Sequence, residues 1–455
     1  MSRVALIGEN SVEYVNALLD IWNSGDCAVL IDWRIPFQTA VEMMQEAGVH
    51  TCYFEKKLLD KAFSAFVKDI SFLPYERKTA SAECLPESFY VKFKQNYSKK
   101  EAIVLYSSGT TGRSKGIILS HFAINTNADA IIDYMKLTTT DCIYIAKTLS
   151  HSSTLTGELL VALKTHTKLV IAPTIVPPRY IIGSISKFNV TIVCLNPILL
   201  SMFADEIKRG NYDIISLRTI YVSGSVLNDN IYVKAHQIFK DIAIYNVYGL
   251  SEAGPRVSAQ RSDCCKSNSV GRELINVDII VVDGKGNPVP IEERGIVHIN
   301  TPSCYDGYIS GNEKCKSLYL GWLNTGDVGF FDINGELHIV DRTDDVIIID
   351  SHKIYPQSIV NDILQINGIL DCAVFPIETT CNKERTTIIC FYLSGSMNNL
   401  SETIRRTLLE THPKYEVPDE FICVSNIERN SSGKILKSKL IEHYLFLKRS
   451  ELVKF

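Results

Sequence analysis

The segment from Tyr106 to His121, YSSGTTGRSKGIILSH, concentrates residues that can bind phosphate. It follows a short apolar run, residues 102–105, that predicts a buried strand. Glycines let the backbone approach an anion closely, and successive N–H groups and hydroxyls can surround its oxygens. The candidate phosphate-binding residues are Ser107, Ser108, Gly109, Thr110, Thr111, Gly112 and Lys115. Their types and spacing predict a loop that binds the phosphates of a nucleotide.

This segment does not fit the common P-loop pattern, G-x-x-x-x-G-K-[ST]. Counted from Gly109, Ser114 stands where the second glycine belongs, and Gly116 stands where the pattern requires a hydroxyl residue. A second Ser-Gly-Lys, at 432–434, also fails because Glu428 replaces its first glycine. Alone, a loop rich in serine, threonine and glycine is also compatible with a surface connection, so its interpretation depends on other segments.

Composition and charge describe an ordinary globular protein. The chain has 455 residues, 46% of them hydrophobic and 22% charged, with a formal net charge of −4. This charge argues against a nucleic-acid partner and against an anionic membrane surface. No apolar run approaches the ~18 residues of a membrane span, and the N-terminal sequence has no secretory-signal pattern. The 13 scattered cysteines include no C-x-x-C pair, so we expect reduced thiols and a cytoplasmic location.

Alternating strand and helix patterns fill the first two-thirds of the chain. Residues 4–7 predict a strand, Asn10 is a predicted helix N-cap with Glu13 completing a capping box, and residues 27–31 predict the next strand. Such a β-α-β unit implies parallel pairing. Further predicted strands are 142–146, 168–172, 191–195, 219–222 and 242–245. This alternation predicts an α/β fold of layered helices and sheet.

The pattern changes after about residue 270, where short strands alternate with turns rich in Gly, Asn, Asp and Pro and predict a β-rich subdomain. After about residue 345 the chain returns to mixed helix and strand. About 110 residues are enough for a small separate domain.

Five motifs in order resemble those of the adenylate-forming enzyme superfamily, which includes acyl- and aryl-CoA ligases, peptide-synthetase adenylation domains and firefly luciferase. They are Tyr106–Gly116 for YTSGTTGxPKG, Tyr248–Glu252 for Y-G-x-[ST]-E, Trp322–Asp327 for W-x-x-T-G-D, Arg342 with Asp344 and Asp345 for G-R-x-D-D, and Ser432–Lys434 for [ST]-G-K. Each motif alone is also compatible with an ordinary turn or surface residue. Their joint order identifies the chain as a member of this superfamily.

The resemblance implies a large N-terminal domain over residues 1–343, whose β-rich subdomain covers about 270–343, and a small, mobile α+β C-terminal lid domain over residues 344–455. It implies that a carboxylic acid reacts with ATP to give acyl-AMP and pyrophosphate, and that a thiol of CoA or of a carrier-protein phosphopantetheine then accepts the acyl group. Asp344 falls at the hinge position. Any acyl or peptidyl carrier protein would be a separate chain.

The resemblance also assigns roles to single residues. Attack of a carboxylate on ATP brings two anions together, so positive charge must stabilise the α-phosphate and the leaving pyrophosphate. Lys434 takes this catalytic role, and the loop with Lys115 binds the β- and γ-phosphates. Glu252 binds Mg²⁺, a cation that prefers carboxylate oxygen. The remaining ATP-binding residues are Ser251 at the α-phosphate, Asp327 at the ribose, Arg342 at ribose or phosphate, Tyr248 stacked on adenine, and Gly224, Ser225, Asn246, Val247 and Gly249 around the same pocket.

The acid pocket is predicted to contain His151 and Ser152, with the histidine beside the reacting carboxyl, and Val247. Amino-acid-activating relatives have an aspartate near His151, and its absence argues against an α-amino acid. A branched Val247 should narrow the pocket, which favours an aryl or short-chain acid over a medium- or long-chain fatty acid. The fatty acyl-CoA ligase remains an alternative.

Three departures from the family pattern leave the acceptor open. The N-terminal segment is short or missing, Asp341 replaces the usual glycine before Arg342, and Ser351 replaces a glycine that lets pantetheine pass close to the backbone. Ser351 motivates the alternative of an adenylating enzyme that passes the acyl group to an amine. A nucleotide-binding pseudoenzyme is a further alternative, opposed by the intact Lys434, Glu252 and Asp327. The sequence does not specify the oligomeric state.

Overall fold

The computed structural model describes residues 1–59, 69–107, 114–174, 176–261, 269–310, 318–319, 321–349, 352–378, 386–395, 399–429 and 435–452. The described strands form two large sheets, a five-stranded sheet and two small sheets near the C-terminus. In this part of the chain, no helix is long and apolar enough to cross a bilayer.

The helices and strands fall into three groups along the chain. The first group is β1 (Arg3–Ile7), α1 (Val12–Asn23), β2 (Cys27–Ile31), α2 (Phe37–Glu46), β3 (Thr51–Glu55), α3 (Lys56–Leu59), β4 (Ser71–Tyr75), β5 (Glu83–Cys84), α4 (Glu87–Lys92), β6 (Glu101–Ser107), β7 (Lys115–Ser120) and α5 (His121–Met135). The second is β8 (Cys142–Ile145), α6 (Ser152–Thr154), a π-helix (Leu155–Leu160), α7 (Val161–Thr165), β9 (Lys168–Ile171), α8 (Pro178–Phe188), β10 (Ile192–Leu195), α9 (Pro197–Arg209), β11 (Thr219–Val222), α10 (Asp229–Ile238), β12 (Ala243–Tyr248) and a 3₁₀ helix (Ser251–Ala253). The third is β13 (Ser258–Ala259), β14 (Arg272–Glu273), β15 (Asp278–Val282), β16 (Gly295–Asn300), β17 (Gly307–Tyr308), β18 (Leu318–Tyr319), β19 (Trp322–Phe331), β20 (Leu337–Arg342), β21 (Ile347–Ile349), β22 (His352–Ile354), α11 (Pro356–Leu364), β23 (Ile369–Glu378), β24 (Thr386–Ser394), α12 (Ser401–Thr411), β25 (Glu420–Cys423) and α13 (Lys437–Leu452).

The first large sheet has the strand order β17-β7-β6-β2-β1-β3-β4. Parallel pairing connects β6, β2, β1, β3 and β4, as the predicted β-α-β unit requires. β7 returns antiparallel to β6 and places Lys115 opposite Ser107. The strands on either side of residues 108–113 are therefore neighbours in one sheet.

The second large sheet has the order β14-β13-β12-β11-β10-β8-β9-β5, and its strands from β12 to β9 pair in parallel. One continuous hydrophobic core joins the two sheets, with α1, α5 and the π-helix contributing buried side chains. Carboxyl ends of parallel strands meet at one edge, where open α/β sheets commonly bind ligands. Residues that follow β8, β11 and β12 therefore share an edge.

Antiparallel pairing of β15, β16, β19, β18 and β20 forms the five-stranded sheet, which confirms the β-rich region predicted after residue 270. After it, β21 pairs with β22, and β23-β24-β25 form a three-stranded sheet with hydrophobic clusters of its own. The predicted α/β class, with a β-rich part and a C-terminal α+β part, is confirmed.

The predicted N-cap of the first helix is wrong by one residue. Ser11 is the N-cap of α1, and its side chain accepts a hydrogen bond from the Tyr14 N–H. Asn10 instead bonds to a distant segment: its Nδ2 donates to the Lys147 carbonyl at 2.7 Å, and its Oδ1 accepts from the Leu149 N–H at 2.8 Å. A long-range contact of this kind leaves no signal in the local capping pattern.

Candidate active site

A cleft of 2390 Å³ opens where the ends of β8, β11 and β12 meet. The predicted site residues that line it are Lys115, His151, Ser152, Gly224, Ser225, Asn246, Val247, Tyr248, Gly249, Ser251, Glu252, Asp327, Arg342 and Asp344. The fold thus brings together residues from four of the five sequence motifs.

The other predicted site residues are not placed by the structure. Ser107 ends β6, but its side chain is not described, and Ser108, Gly109, Thr110, Thr111, Gly112, Ser351 and Lys434 lie outside the described residues. Residues on either side of two of these segments do line the cleft. Tyr106 and Lys115 flank the first, and Arg429 and Ile435 flank the segment that contains Lys434.

Asp327 is held by two partners on neighbouring strands. It lies directly opposite Arg342 in the β19–β20 pair, and Arg342 Nη1 is 2.7 Å from Asp327 Oδ1. The Tyr248 hydroxyl donates to the other carboxylate oxygen. Burial, followed by the charge of Asp327, raises the pKa of Tyr248 well above its usual value, so this hydroxyl keeps its proton. The carboxylate is thereby fixed in orientation at the cleft wall.

Tyr308 connects the predicted metal ligand to the phosphate-loop lysine. Its hydroxyl donates to Glu252 Oε1 at 3.1 Å, and Lys115 Nζ lies 5.3 Å from its ring centroid. β17, which carries Tyr308, pairs with β7, which begins at Lys115. Tyr308 was not predicted from the sequence. Only this pairing between distant segments brings it into the site.

The expected acid pocket lies beside the 3₁₀ helix after β12. Ser152 Oγ and Ser251 Oγ are 2.9 Å apart, which joins the segment after β8 to the Tyr248–Glu252 motif. Burial lowers the pKa of His151 to about 4, with the nearby Asp32 partly opposing the shift. His151 is therefore a neutral imidazole at neutral pH, able both to donate and to accept a hydrogen bond.

Two further residues of the cleft were not predicted from the sequence. Lys147 follows β8 and Ser223 follows β11, and Lys147 Nζ donates to Ser223 Oγ at 3.2 Å. The rule that parallel strands end at one edge could have identified both. Asn246, by contrast, donates its side-chain amide to the Ser269 carbonyl at 3.1 Å, a contact within the fold.

Curated relatives resemble nearly the whole chain. The 4-coumarate–CoA ligase CCL1 of Humulus lupulus is 25% identical over 96% of this chain and 83% of its own length. The fatty acid–[acyl-carrier-protein] ligase ScoC of Streptomyces coeruleorubidus is 24% identical over 97% of this chain and 86% of its own length. These names confirm the predicted enzyme class, an AMP-forming ligase of the acyl-CoA synthetase type.

Solved structures show the same fold. ATP-bound MatB from Rhodopseudomonas palustris superposes with a TM-score of 0.86 at 21% identity, covering 97% of this chain and 88% of the other. The O-succinylbenzoate CoA synthetase MenE from Bacillus subtilis, in complex with ATP and magnesium ion, gives 0.80 at 21% identity over 96% and 89%. The family model described as "AMP-binding enzyme" matches residues 1–309. This chain belongs to the AMP-binding enzyme family.

Proposed function

We propose that this protein is an ATP-dependent acid–thiol ligase that activates an aryl or short-chain carboxylic acid as its acyl-adenylate and transfers the acyl group to CoA. The observation that supports this most strongly is the single cleft that gathers Lys115, Ser251, Glu252, Asp327 and Arg342. The sequence motifs that carry them are separated along the chain, so their convergence is a property of the fold.

The proposed roles follow the chemistry of each group. The fixed Asp327 carboxylate accepts hydrogen bonds from the ribose hydroxyls of ATP, and Arg342 holds that carboxylate in place. Ser251 contacts the α-phosphate. Lys115 and the hydroxyls of residues 107–111 restrain the departing pyrophosphate, and Lys434 stabilises the charge that develops as the acid attacks.

Glu252 is the proposed magnesium ligand. Proteins usually bind Mg²⁺ through one or two carboxylates together with substrate phosphates, and a cleft carboxylate joined through Tyr308 to the phosphate-loop lysine fits that donor set. The Tyr308 hydroxyl orients this carboxylate by donating to Oε1. Bound Mg²⁺ would neutralise phosphate charge.

Residues 344–455 are proposed to form the lid domain, with residues 1–343 as the ATP- and acid-binding domain and Asp344 as the hinge. Arg429, Ile435 and Lys437 line the cleft, which supports a role there for the neighbouring Lys434. We also propose that the protein acts in the cytoplasm.

The acceptor is tested by incubating the enzyme with ATP, Mg²⁺, a panel of aryl and short-chain acids, and CoA. We expect AMP and an acyl-CoA product, detected by mass spectrometry. ADP in place of AMP would contradict adenylation, and AMP without a thioester would contradict CoA as acceptor. A carrier protein bearing phosphopantetheine is the second candidate acceptor, because one relative is named as an acyl-carrier-protein ligase. The same assay is run in parallel with such a carrier protein in place of CoA.

A further inference from the structure

Three ionisable side chains meet at the wall of the cleft, outside the residues assigned to ATP. Lys147 follows β8, Glu158 belongs to the π-helix, and Arg256 follows the 3₁₀ helix. Lys147 Nζ is 3.5 Å from Glu158 Oε1, with side chains 14% and 0% exposed, and Arg256 is 2% exposed. Lys147 and Arg256 both line the cleft. We call these three residues the charged cluster.

The charged cluster has an excess of positive charge. It contains two cations and one carboxylate, and burial raises the pKa of that carboxyl, Glu158, to about 7. A partly protonated Glu158 cannot neutralise both Lys147 and Arg256 at neutral pH. Net positive charge in a buried position is costly unless an anion is close.

Hydrogen bonding in the charged cluster is incomplete as well. The Arg256 guanidinium donates to the Tyr134 hydroxyl and contacts Cys194 Sγ at 3.7 Å. Arg256 Nε is a buried donor with no hydrogen-bond partner among the described residues, and Glu158 Oε1 has only the long ion pair with Lys147 at 3.5 Å. Buried polar groups in native proteins are almost always paired, so the unpaired Arg256 donor is suited to an anionic acceptor.

The backbone is shaped to accommodate the guanidinium. Glu158 and Gly157 lie in a π-helical turn, an irregularity that occurs frequently at functional sites. A Cβ atom on Gly157 would lie 2.9 Å from Arg256 Nη2, so a larger residue here would displace the guanidinium. The same chain segment continues from His151 and Ser152, the expected neighbours of the reacting acid.

We propose that the charged cluster, with Ser223, is a subsite for a second carboxylate of the acid substrate, so that the preferred substrates are dicarboxylic acids. The proposal rests on the proposed acid-activating function. A second carboxylate would accept from Lys147 and Ser223 and would balance the charge of Arg256. A monocarboxylic acid of the same length would leave these groups unpaired, and sites built for a polar group discriminate strongly against analogues that lack it.

The test compares matched acids in ATP–pyrophosphate exchange, with hexanoate against adipate and benzoate against terephthalate. We expect kcat/KM of the wild-type protein to favour a diacid over its monoacid by at least roughly 10-fold. Lys147→Met should lower exchange with the diacid by a similar factor and leave exchange with the monoacid within about 2-fold, whereas Lys147→Arg should retain most of the preference.

Lys164 provides the matched control. Its side chain is 3% exposed and forms a 2.8 Å ion pair with Asp129 outside the cleft, so Lys164→Met also removes a buried lysine. We expect the ratio of diacid to monoacid kcat/KM in Lys164→Met to equal that of the wild-type protein.

Three results would overturn the subsite. One is exchange with monoacids and no preference for diacids in the wild-type protein, a result that does not depend on any variant folding. The second is an equal loss of exchange with the diacid and with the monoacid in Lys147→Met, which would place Lys147 at the reacting carboxyl. The third is an unchanged ratio of diacid to monoacid kcat/KM in a folded Lys147→Met protein. Absence of exchange with every acid would contradict the proposed function itself.

Discussion

Asp327 accepts hydrogen bonds on both carboxylate oxygens, from the Tyr248 hydroxyl and from Arg342 Nη1. Both donors hold the carboxylate in one orientation and leave each oxygen with capacity for a second donor. This preorganisation is the reason to expect a large effect from a single substitution.

Asp327→Ala should weaken ATP binding at least about 10-fold, because a hydrogen bond to a charged group contributes about 1.5–3 kcal/mol. Isothermal titration calorimetry with ATP measures this directly. Asp283→Ala is the control, since Asp283 lies in a turn of the same β-rich region and caps the amides of Lys285 and Asn287. Equal ATP affinity in both variants would contradict the ribose assignment.

His151 gives a pH prediction with a definite sign. The unfolded residue titrates near 6.5, whereas burial lowers the pKa of folded His151 to about 4. Between these values the unfolded state binds more protons, so the free energy of unfolding falls as the pH drops from about 6.5 to about 4. The loss is at most about 3 kcal/mol from this residue.

His151→Gln should remove this part of the pH dependence, measured as the difference from the wild-type protein in urea unfolding at about pH 7 and about pH 5. His121 is the control, because burial also lowers its pKa to about 4 and it does not line the cleft. His121→Gln should reduce the pH dependence of the free energy of unfolding and leave acid activation unchanged. If His151→Gln and the wild-type protein showed the same pH dependence of the free energy of unfolding, this would be inconsistent with a buried, neutral histidine.

At the residue scale, the sequence identified groups that occur in ordered motifs and missed groups that depend on folding. Glu252, Asp327 and Arg342 were predicted because each lies in a short pattern. Tyr308 and Arg256 were not, because the contact of Tyr308 with Glu252 comes from strand pairing and that of Arg256 with Tyr134 from buried packing between distant segments.

At the scale of elements, the β19–β20 hairpin sets the distance between Asp327 and Arg342. Gly326 precedes Asp327 with a φ of +71°, and a Cβ there would lie 3.0 Å from Arg342 Nη2. Gly335, in the turn of the same hairpin, has a φ of +73° and nothing within 4 Å of its Cβ position. The two glycines have the same backbone conformation and differ in what a side chain would contact.

Gly326→Ala and Gly335→Ala should therefore destabilise the protein similarly, by about 1–2 kcal/mol each for an alanine in the left-handed region. Only Gly326→Ala should also weaken ATP binding, by roughly 3- to 10-fold, because it displaces Arg342. Thermal denaturation and ATP titration of both variants separate the two effects. Loss of ATP affinity in Gly335→Ala would show that hairpin strain, rather than the Arg342 contact, is responsible.

Most elements could be predicted, whereas their arrangement could not. The strand predicted at 219–222 coincides with β11, because a buried parallel strand has a continuous apolar run. The strand predicted at 242–245 extends to Tyr248, since its polar end at Asn246 interrupts the apolar pattern. The order of strands in the two sheets depends on crossovers, which leave no local pattern in the sequence.

At the scale of the whole molecule, we propose that residues 344–455 move as a lid about Asp344. The neighbouring Asp345 donates its N–H to the Arg342 carbonyl, and its carboxylate pairs with Lys437 in the C-terminal part of the chain. Arg429 pairs with Asp371 at 2.8 Å and forms a β-bridge to Ile435, and both Arg429 and Ile435 line the cleft.

Asp344→Pro should lower thioester formation more than adenylation, because proline fixes φ and restricts the rotation a hinge requires. Single-turnover assays of each half-reaction measure the two rates. Asp344→Ala keeps the backbone free and should affect both steps little. Equal losses in the two half-reactions of Asp344→Pro would argue against a hinge at this position.

The most direct test of the proposed chemistry is acid-dependent ATP–pyrophosphate exchange by the wild-type protein and by Lys434→Ala, with ATP affinity measured in parallel. We predict exchange with at least one aryl, short-chain or dicarboxylic acid, and a loss of at least roughly 10²-fold in Lys434→Ala, the effect of removing one preorganised charge at the reacting phosphate. Exchange at the wild-type rate in a folded Lys434→Ala protein, or no exchange by the wild-type protein with any of these acids, would contradict it.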